Sequence, residues 1–334
     1  MRTKKAVITA AGRGTRQFPT TRCIQKELLP LVDRDGITRP TIQIIVQECL
    51  DAGIASVCIV VEKGGQGPFA EHFRALTDDE RRGLAGKPWA LQEADRLSAL
   101  ARHITYVEQP SPEGFGHAVY QARDSIGDEP FLLLLGDHIY TTPDGVPSPL
   151  AQILDIAEET GGSVTSVRRD PESYVGVTGV LQCHPLRADL AADAPGQVYD
   201  ILALKEKPTP EEARALATPG VPPGFYLCHF GVHLFSPELF DCLEELLRTD
   251  ARVRGEIQLT SAQTLLLDRA QRGDAAPYHA AYLAGTRWDT GVPEGYLETL
   301  LALAQRGPFA ERLHREFGLS RASDGRSPVL ESTD

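Results

Sequence analysis

Apolar positions along this chain fall into two kinds of run. Short continuous ones, KAVITA (residues 5–10), SVCIVVE (56–62), ITYVEQ (104–109) and FLLLLGD (131–137), have the length and composition of buried strands. Between them lie stretches with apolar residues at helical spacing: TIQIIVQECLDAG, which starts after Pro40 and stops at Gly53, then FAEHFRAL and FGHAVYQARDSI. Strands alternating with amphipathic helices predict βαβ units and a mostly parallel sheet with helices on both faces.

After Asp137 the rhythm loosens. Residues 149–160 read as a helix, GGSVTSV as a strand, and VGVTGVLQ and QVYDILALKEKP as extended pieces. GFYLCHFGVHLF alternates as a strand; SPELFDCLEELL and IQLTSAQTLLLDRAQR read as helices, YHAAYLAG as a strand and EGYLETLLALAQR as a closing helix. No repeat of 20–50 residues and no long linker interrupts the series. The pattern predicts one α/β domain elaborated in its second half. The polar tail, residues 319–334, is expected to be disordered.

Composition narrows the function. The net charge of −12 argues against a nucleic-acid partner, which needs a basic footprint. Residues 1–30 nevertheless hold seven basic residues and one acidic residue, Glu27. A small positive island on an acidic body suits a compact anionic ligand. No run approaches the roughly 20 apolar residues of a membrane span, and the start lacks the apolar core of a signal peptide. A cytoplasmic location is therefore expected. The six cysteines form no CxxC pair, which predicts reduced thiols.

The island is the loop AAGRGTR after the first strand. Gly12 and Gly14 begin a dinucleotide fingerprint, but Gln17 stands where its third glycine belongs. A P-loop fails too, because Gly14 is followed by Thr15 and Arg16. What remains is a glycine-lined anion cradle with Arg16 as a clamp and Lys26 as a mobile charge. A triphosphate brings a metal, and two aspartates suit a hard ion: Asp137 at the end of an apolar strand, and Asp289 in RWDTG.

AAGRGTR, QKELLPLVD, EQPSPEGFGHAV, LLLLGDH, KEKP, GEIQLT and RWDTG follow one another over residues 4–305. In that order they resemble the sugar-phosphate nucleotidyltransferases, above all the bacterial UTP–glucose-1-phosphate uridylyltransferases. The resemblance implies a single Rossmann-like domain over residues 1–318. A nucleotide-binding half would span about 1–140 and a sugar-phosphate half about 141–318. It implies attack by a sugar-1-phosphate oxygen on the α-phosphorus of a nucleoside triphosphate, with Mg²⁺ on Asp137 and Asp289. By similarity, Ala11, Gly12, Gly14 and Thr15 hold the nucleotide, Arg16 grips the departing pyrophosphate and Lys26 bridges the reacting phosphates. Gln109 and Gly114 read a pyrimidine base, while Gly176, Glu206, Lys207 and Gly231 hold the sugar phosphate. A homo-oligomer is expected.

The chain departs from the family pattern in several places. Gln25 replaces a proline, Arg22 a common lysine and Val175 a common tyrosine; the loop at 33–40 is longer, and His138 follows Asp137 where a small or apolar residue is usual. Two alternatives stay open here: thymidylyl transfer from dTTP, and a regulatory relative that keeps the fold without catalysis. Arg16, Lys26, Asp137 and Asp289 are all present, which favours an enzyme.

Overall fold

A computed structural model describes residues 2–318; the tail expectation lies outside them. Among the described residues thirteen strands occur in chain order: β1 (Lys5–Ala10), β2 (Pro30–Val32), β3 (Thr38–Pro40), β4 (Ser56–Glu62), β5 (Ile104–Gln109), β6 (Phe131–Leu135), β7 (His138–Thr141), β8 (Ser163–Pro171), β9 (Gly179–Pro185), β10 (Val198–Glu206), β11 (Phe225–Phe235), β12 (Tyr278–Tyr282) and β13 (Thr286–Asp289). Nine form one sheet in the order β5-β4-β1-β6-β11-β8-β12-β10-β9, and β2–β3 and β7–β13 are two-stranded ribbons.

The sheet is mixed, and its parallel character is concentrated in the first half. There β1 pairs in parallel with β4 and β6, and β4 with β5. Each of these strands is reached through helical crossovers, as parallel pairing requires. In the second half only β8–β12 is parallel, while β11 runs antiparallel to β6, β8 and β9, and β10 to β9 and β12. Strands β8 to β11 follow one another without long crossover helices, so the chain returns antiparallel. The expected mixed α/β sheet with helices on both faces is present, and its mostly parallel character is confined to the first half.

Successive residues of a strand face opposite ways, and both faces are covered. Ile8 packs with Ile42, Ile45 and Ile153 from the helices Thr41–Asp51 and Pro149–Thr160. Val7 packs on the other side with Leu239, Phe240 and Leu266 from Glu238–Arg248 and Leu259–Arg272. Each buried aliphatic contributes about 1.5–3 kcal/mol. Five cysteines are buried, Cys23 is exposed, and none forms a disulfide.

Some elements differ from expectation. The stretch FGHAVYQARDSI is two short helices, Phe115–Tyr120 and Arg123–Ile126; Arg123 pairs with Asp241 and Glu244 of the neighbouring helix. A helix at Pro88–Ala101 was not anticipated. The longer loop at 33–40 lies within the β2–β3 hairpin, closed by the buried Arg39, which binds Asp33, Asp35 and Glu93 at 2.6–2.7 Å.

Candidate active site

The site forms where β1 and β6, parallel neighbours, both end. Beyond β1 the glycine loop begins, and Gly14 takes a left-handed φ of 59° while its carbonyl accepts from the Thr21 hydroxyl. A side chain at Gly14 would strike Thr21 Cγ2 at 2.7 Å. Beyond β6 the Gly136 amide donates to the Thr9 carbonyl, and the next residue is Asp137, buried at the sheet edge.

Asp137 and Asp289 come together through β7 and β13, two strands the hydrophobic pattern did not reveal. They pair antiparallel, with His138 opposite Asp289. Thr290 then donates to the Asp137 carbonyl through both its amide, at 2.8 Å, and its hydroxyl, at 2.9 Å. Gln17 Nε2 donates to the Thr290 carbonyl at 2.9 Å, which ties the glycine loop to the same corner. Gly291 closes the arrangement: a Cβ there would sit 2.3 Å from Asp137 Oδ2 and 2.9 Å from Asp289 Oδ1. The gap between the two carboxylates exists because residue 291 has no side chain.

Lys26 reaches this gap. Its Nζ lies 2.5 Å from Asp137 Oδ2 and 3.4 Å from Glu27 Oε1. Burial works against its charge, but Asp137 and Glu27 outweigh burial and hold the ammonium above its ordinary range. Burial would raise Asp137, yet Lys26 keeps that carboxyl below the usual range. Glu27 goes the other way: burial pushes it up to about 7 against the pull of Lys26. Sequence reasoning gave Glu27 no role, and its buried place beside Lys26 is visible only in three dimensions. Arg16 is exposed, with Nη1 3.9 Å from Asp289 Oδ2. The ring of His138 is held neutral, first by burial and then by Arg287.

A cavity of about 350 Å³ opens beside this cluster, lined by Ala11, Gly12, Lys26, Gln109, Gly114 and Asp137, and also by Arg13 and Glu256. Gln109 is buried, and its Nε2 donates to the Gly114 carbonyl at 3.1 Å. Gly114 has φ 115°, and a side chain there would meet Ile257 O at 2.7 Å and Glu256 Cβ at 2.8 Å. The Ile257 amide donates to Glu113 O and its carbonyl accepts from the Gly116 amide. The GEIQLT segment therefore clamps the loop that carries Gly114, a contact its spacing could not disclose. Gln25, in place of the family's proline, donates to Glu62 at 3.2 Å and anchors the Lys26 turn to the end of β4.

On the other side, Glu206 closes β10 and its Oε2 accepts from Thr260 Oγ1 at 2.6 Å. Lys207, at a positive φ of 43°, places Nζ 3.5 Å from Glu206 Oε1. Gly231 lies in a register shift of β11, between His229 and His233, with φ 103°. Gly176 has no atom within 4 Å of where its Cβ would stand, so close packing does not demand glycine there. Gly179 is the tighter position, since a Cβ would meet His229 Cδ2 at 2.3 Å. Arg287, another residue missed in the sequence, donates to the Tyr174 hydroxyl and to the His229 and Phe230 carbonyls.

Comparison with known proteins agrees with this architecture. The family model described as nucleotidyl transferase matches residues 5–306. A UTP–glucose-1-phosphate uridylyltransferase of Bacillus subtilis is 36% identical over 306 residues, covering 91% of each chain. One of Staphylococcus haemolyticus is 35% identical, covering 91% of this chain and 93% of its own. Among solved structures, an apo UDP-glucose pyrophosphorylase superposes with a TM-score of 0.73 at 28% identity, over 91% of this chain and 99% of that one. A UDP-glucose pyrophosphorylase complexed with UDP-glucose does so at 0.70 and 26%, with the same coverage. No described helix is long and apolar enough to cross a membrane. The chain belongs to the nucleotidyl transferase family, among the UTP–glucose-1-phosphate uridylyltransferases.

Proposed function

We propose that this chain transfers UMP from UTP to glucose-1-phosphate, giving UDP-glucose and pyrophosphate. The observation that carries the reading is the contact of Lys26 with Asp137 at 2.5 Å, at the mouth of the cavity that Gln109 and Gly114 line. A phosphate oxygen of the sugar phosphate attacks the α-phosphorus of UTP. The bond from that phosphorus to the bridging oxygen breaks, and pyrophosphate leaves with the electron pair. The protein's part is positioning and charge neutralisation. Lys26, held protonated by its carboxylate neighbours, neutralises charge on the attacking and attacked phosphates. Arg16 and the amides of the glycine loop receive the pyrophosphate.

Asp137 and Asp289 offer oxygen donors on either side of the space left by Gly291, which fits a hard divalent ion such as Mg²⁺. Bound there, the ion would screen the phosphate charges. Gln109 uses Nε2 on Gly114, which leaves Oε1 to accept from N3–H of uracil. Cytosine has no such hydrogen, so the same amide selects against CTP. In the second half, Glu206, fixed by Thr260, accepts from sugar hydroxyls while Lys207 pairs with the sugar phosphate.

The test is pyrophosphate release with Mg²⁺ across UTP, dTTP and CTP against glucose-, galactose- and N-acetylglucosamine-1-phosphate. The strongest turnover is expected with UTP and glucose-1-phosphate. Silence throughout, from folded protein, would sink the reading, and a maximum at another pair would correct its specificity.

A further inference from the structure

His138 sits at the start of β7, opposite Asp289 across the ribbon. Its ring is buried, yet Nδ1 has no hydrogen-bond partner among the described residues. Nε2 stands 4.0 Å from Asp289 Oδ2, beyond hydrogen-bond reach. Leaving a buried imidazole without partners is costly unless something else engages it. One donor atom from each of Asp137, His138 and Asp289 lies within 4.8 Å of the other two. Donors about 2.1 Å from a six-coordinate ion lie about 3 Å apart when adjacent and about 4.2 Å when opposite. Small side-chain rotations therefore bring the three into one shell, and Gly291 keeps the space beside the two carboxylates open.

We infer that His138 Nε2 is a third protein ligand at this metal site, which biases it from Mg²⁺ toward later first-row ions such as Co²⁺. The inference rests on the reading that Asp137 and Asp289 hold the ion. The chemistry follows from donor type: carboxylate oxygens suit Mg²⁺, and an added imidazole favours the later first-row ions. The outer face of the ring is prepared for the role as well. A ligating histidine donates its second N–H to a neighbour. The Tyr140 hydroxyl, also without a partner, borders the same space as Nδ1. The two atoms lie 3.0 Å and 2.8 Å from where a Gly231 Cβ would stand. Glycine at 231 keeps that space free for the hydroxyl, or a water, to meet the ring.

The test is a titration of the intact, nucleotide-free protein with Co²⁺, followed by its visible d–d absorption and competed with Mg²⁺. Wild type is compared with His138→Ala, His138→Asn and Asp137→Asn, and thermal melts verify folding. The preference for Co²⁺ over Mg²⁺ is expected to fall at least about tenfold in both histidine variants. The fall should come through Co²⁺ affinity, with a changed band shape. An unchanged preference and band in those variants, or no Co²⁺ band in wild type up to millimolar concentrations, overturns the inference. If Asp137→Asn leaves binding of both ions intact, the two-carboxylate reading fails first, and that result differs from failure of the histidine alone.

Discussion

Lys26 concentrates the chemistry in one side chain, because one ammonium serves two buried carboxylates in the free protein and two phosphates in the proposed complex. Lys26→Ala is expected to lower kcat about a hundredfold or more and, by leaving the buried Asp137 without its partner, to lower the melting temperature as well. Steady-state kinetics beside a thermal melt checks this; near-normal turnover would remove Lys26 from the mechanism. Gly291 is the converse case, a residue that acts by absence. Gly291→Ala puts a methyl group 2.3 Å from Asp137 Oδ2, so the Mg²⁺ concentration for half-maximal activity should rise steeply; an unchanged Mg²⁺ requirement would show that the gap is not a metal seat. Lys26 was legible in KELLP because a lysine near a glycine loop is a recognisable phosphate partner. Gly291 was not, because a glycine after RWDT reads as an ordinary turn until the two carboxylates are seen on either side of it.

At the level of elements, strands and helices with strong periodicity were readable, and short ones that depend on partners were not. KAVITA and SVCIVVE fall on β1 and β4 residue for residue, because continuous apolar runs must be buried on both faces. The four-residue strands β7 and β13 have too little pattern of their own and exist through pairing with each other. Helix Thr41–Asp51 carries a further consequence. Glu48 Oε2 is sealed from solvent with no hydrogen-bond partner. Burial, opposed by Arg34, pushes this carboxyl up to about 8. The folded chain then keeps a proton that the unfolded chain releases near 4.5. Stability should therefore fall as pH rises between those values and level off above about 8. Glu48→Gln should raise the melting temperature at pH 8–9 and change it little near pH 5. Parallel pH profiles of variant and wild type would contradict this.

Across the whole molecule, the site gathers residues from distant parts of the chain: Gln17 binds Thr290, Lys26 binds Asp137, and Gly116 binds Ile257. Ligand should therefore stabilise the fold as a unit. UTP with Mg²⁺ at a hundred times its Kd is expected to add about 2.7 kcal/mol, a rise in melting temperature of about 4 °C for a chain of this length, and Asp289→Asn should abolish the Mg²⁺-dependent part. A scan in which the ligand shifts neither protein would speak against a site built from both halves. The sequence by itself determined the strand-and-helix alternation of the first half, because periodicity is a local record of which face is buried. It also offered Arg16, Lys26, Asp137 and Asp289 as candidates, since an arginine, a lysine and two aspartates suit a phosphate-bearing substrate with its metal. Only the tertiary structure decided that the second half pairs antiparallel, that Glu27 and His138 face the same corner, and that Gly179 is packed more tightly than Gly176. Those outcomes depend on contacts between residues tens to hundreds of positions apart, and no window of sequence records which distant side chains will share a space.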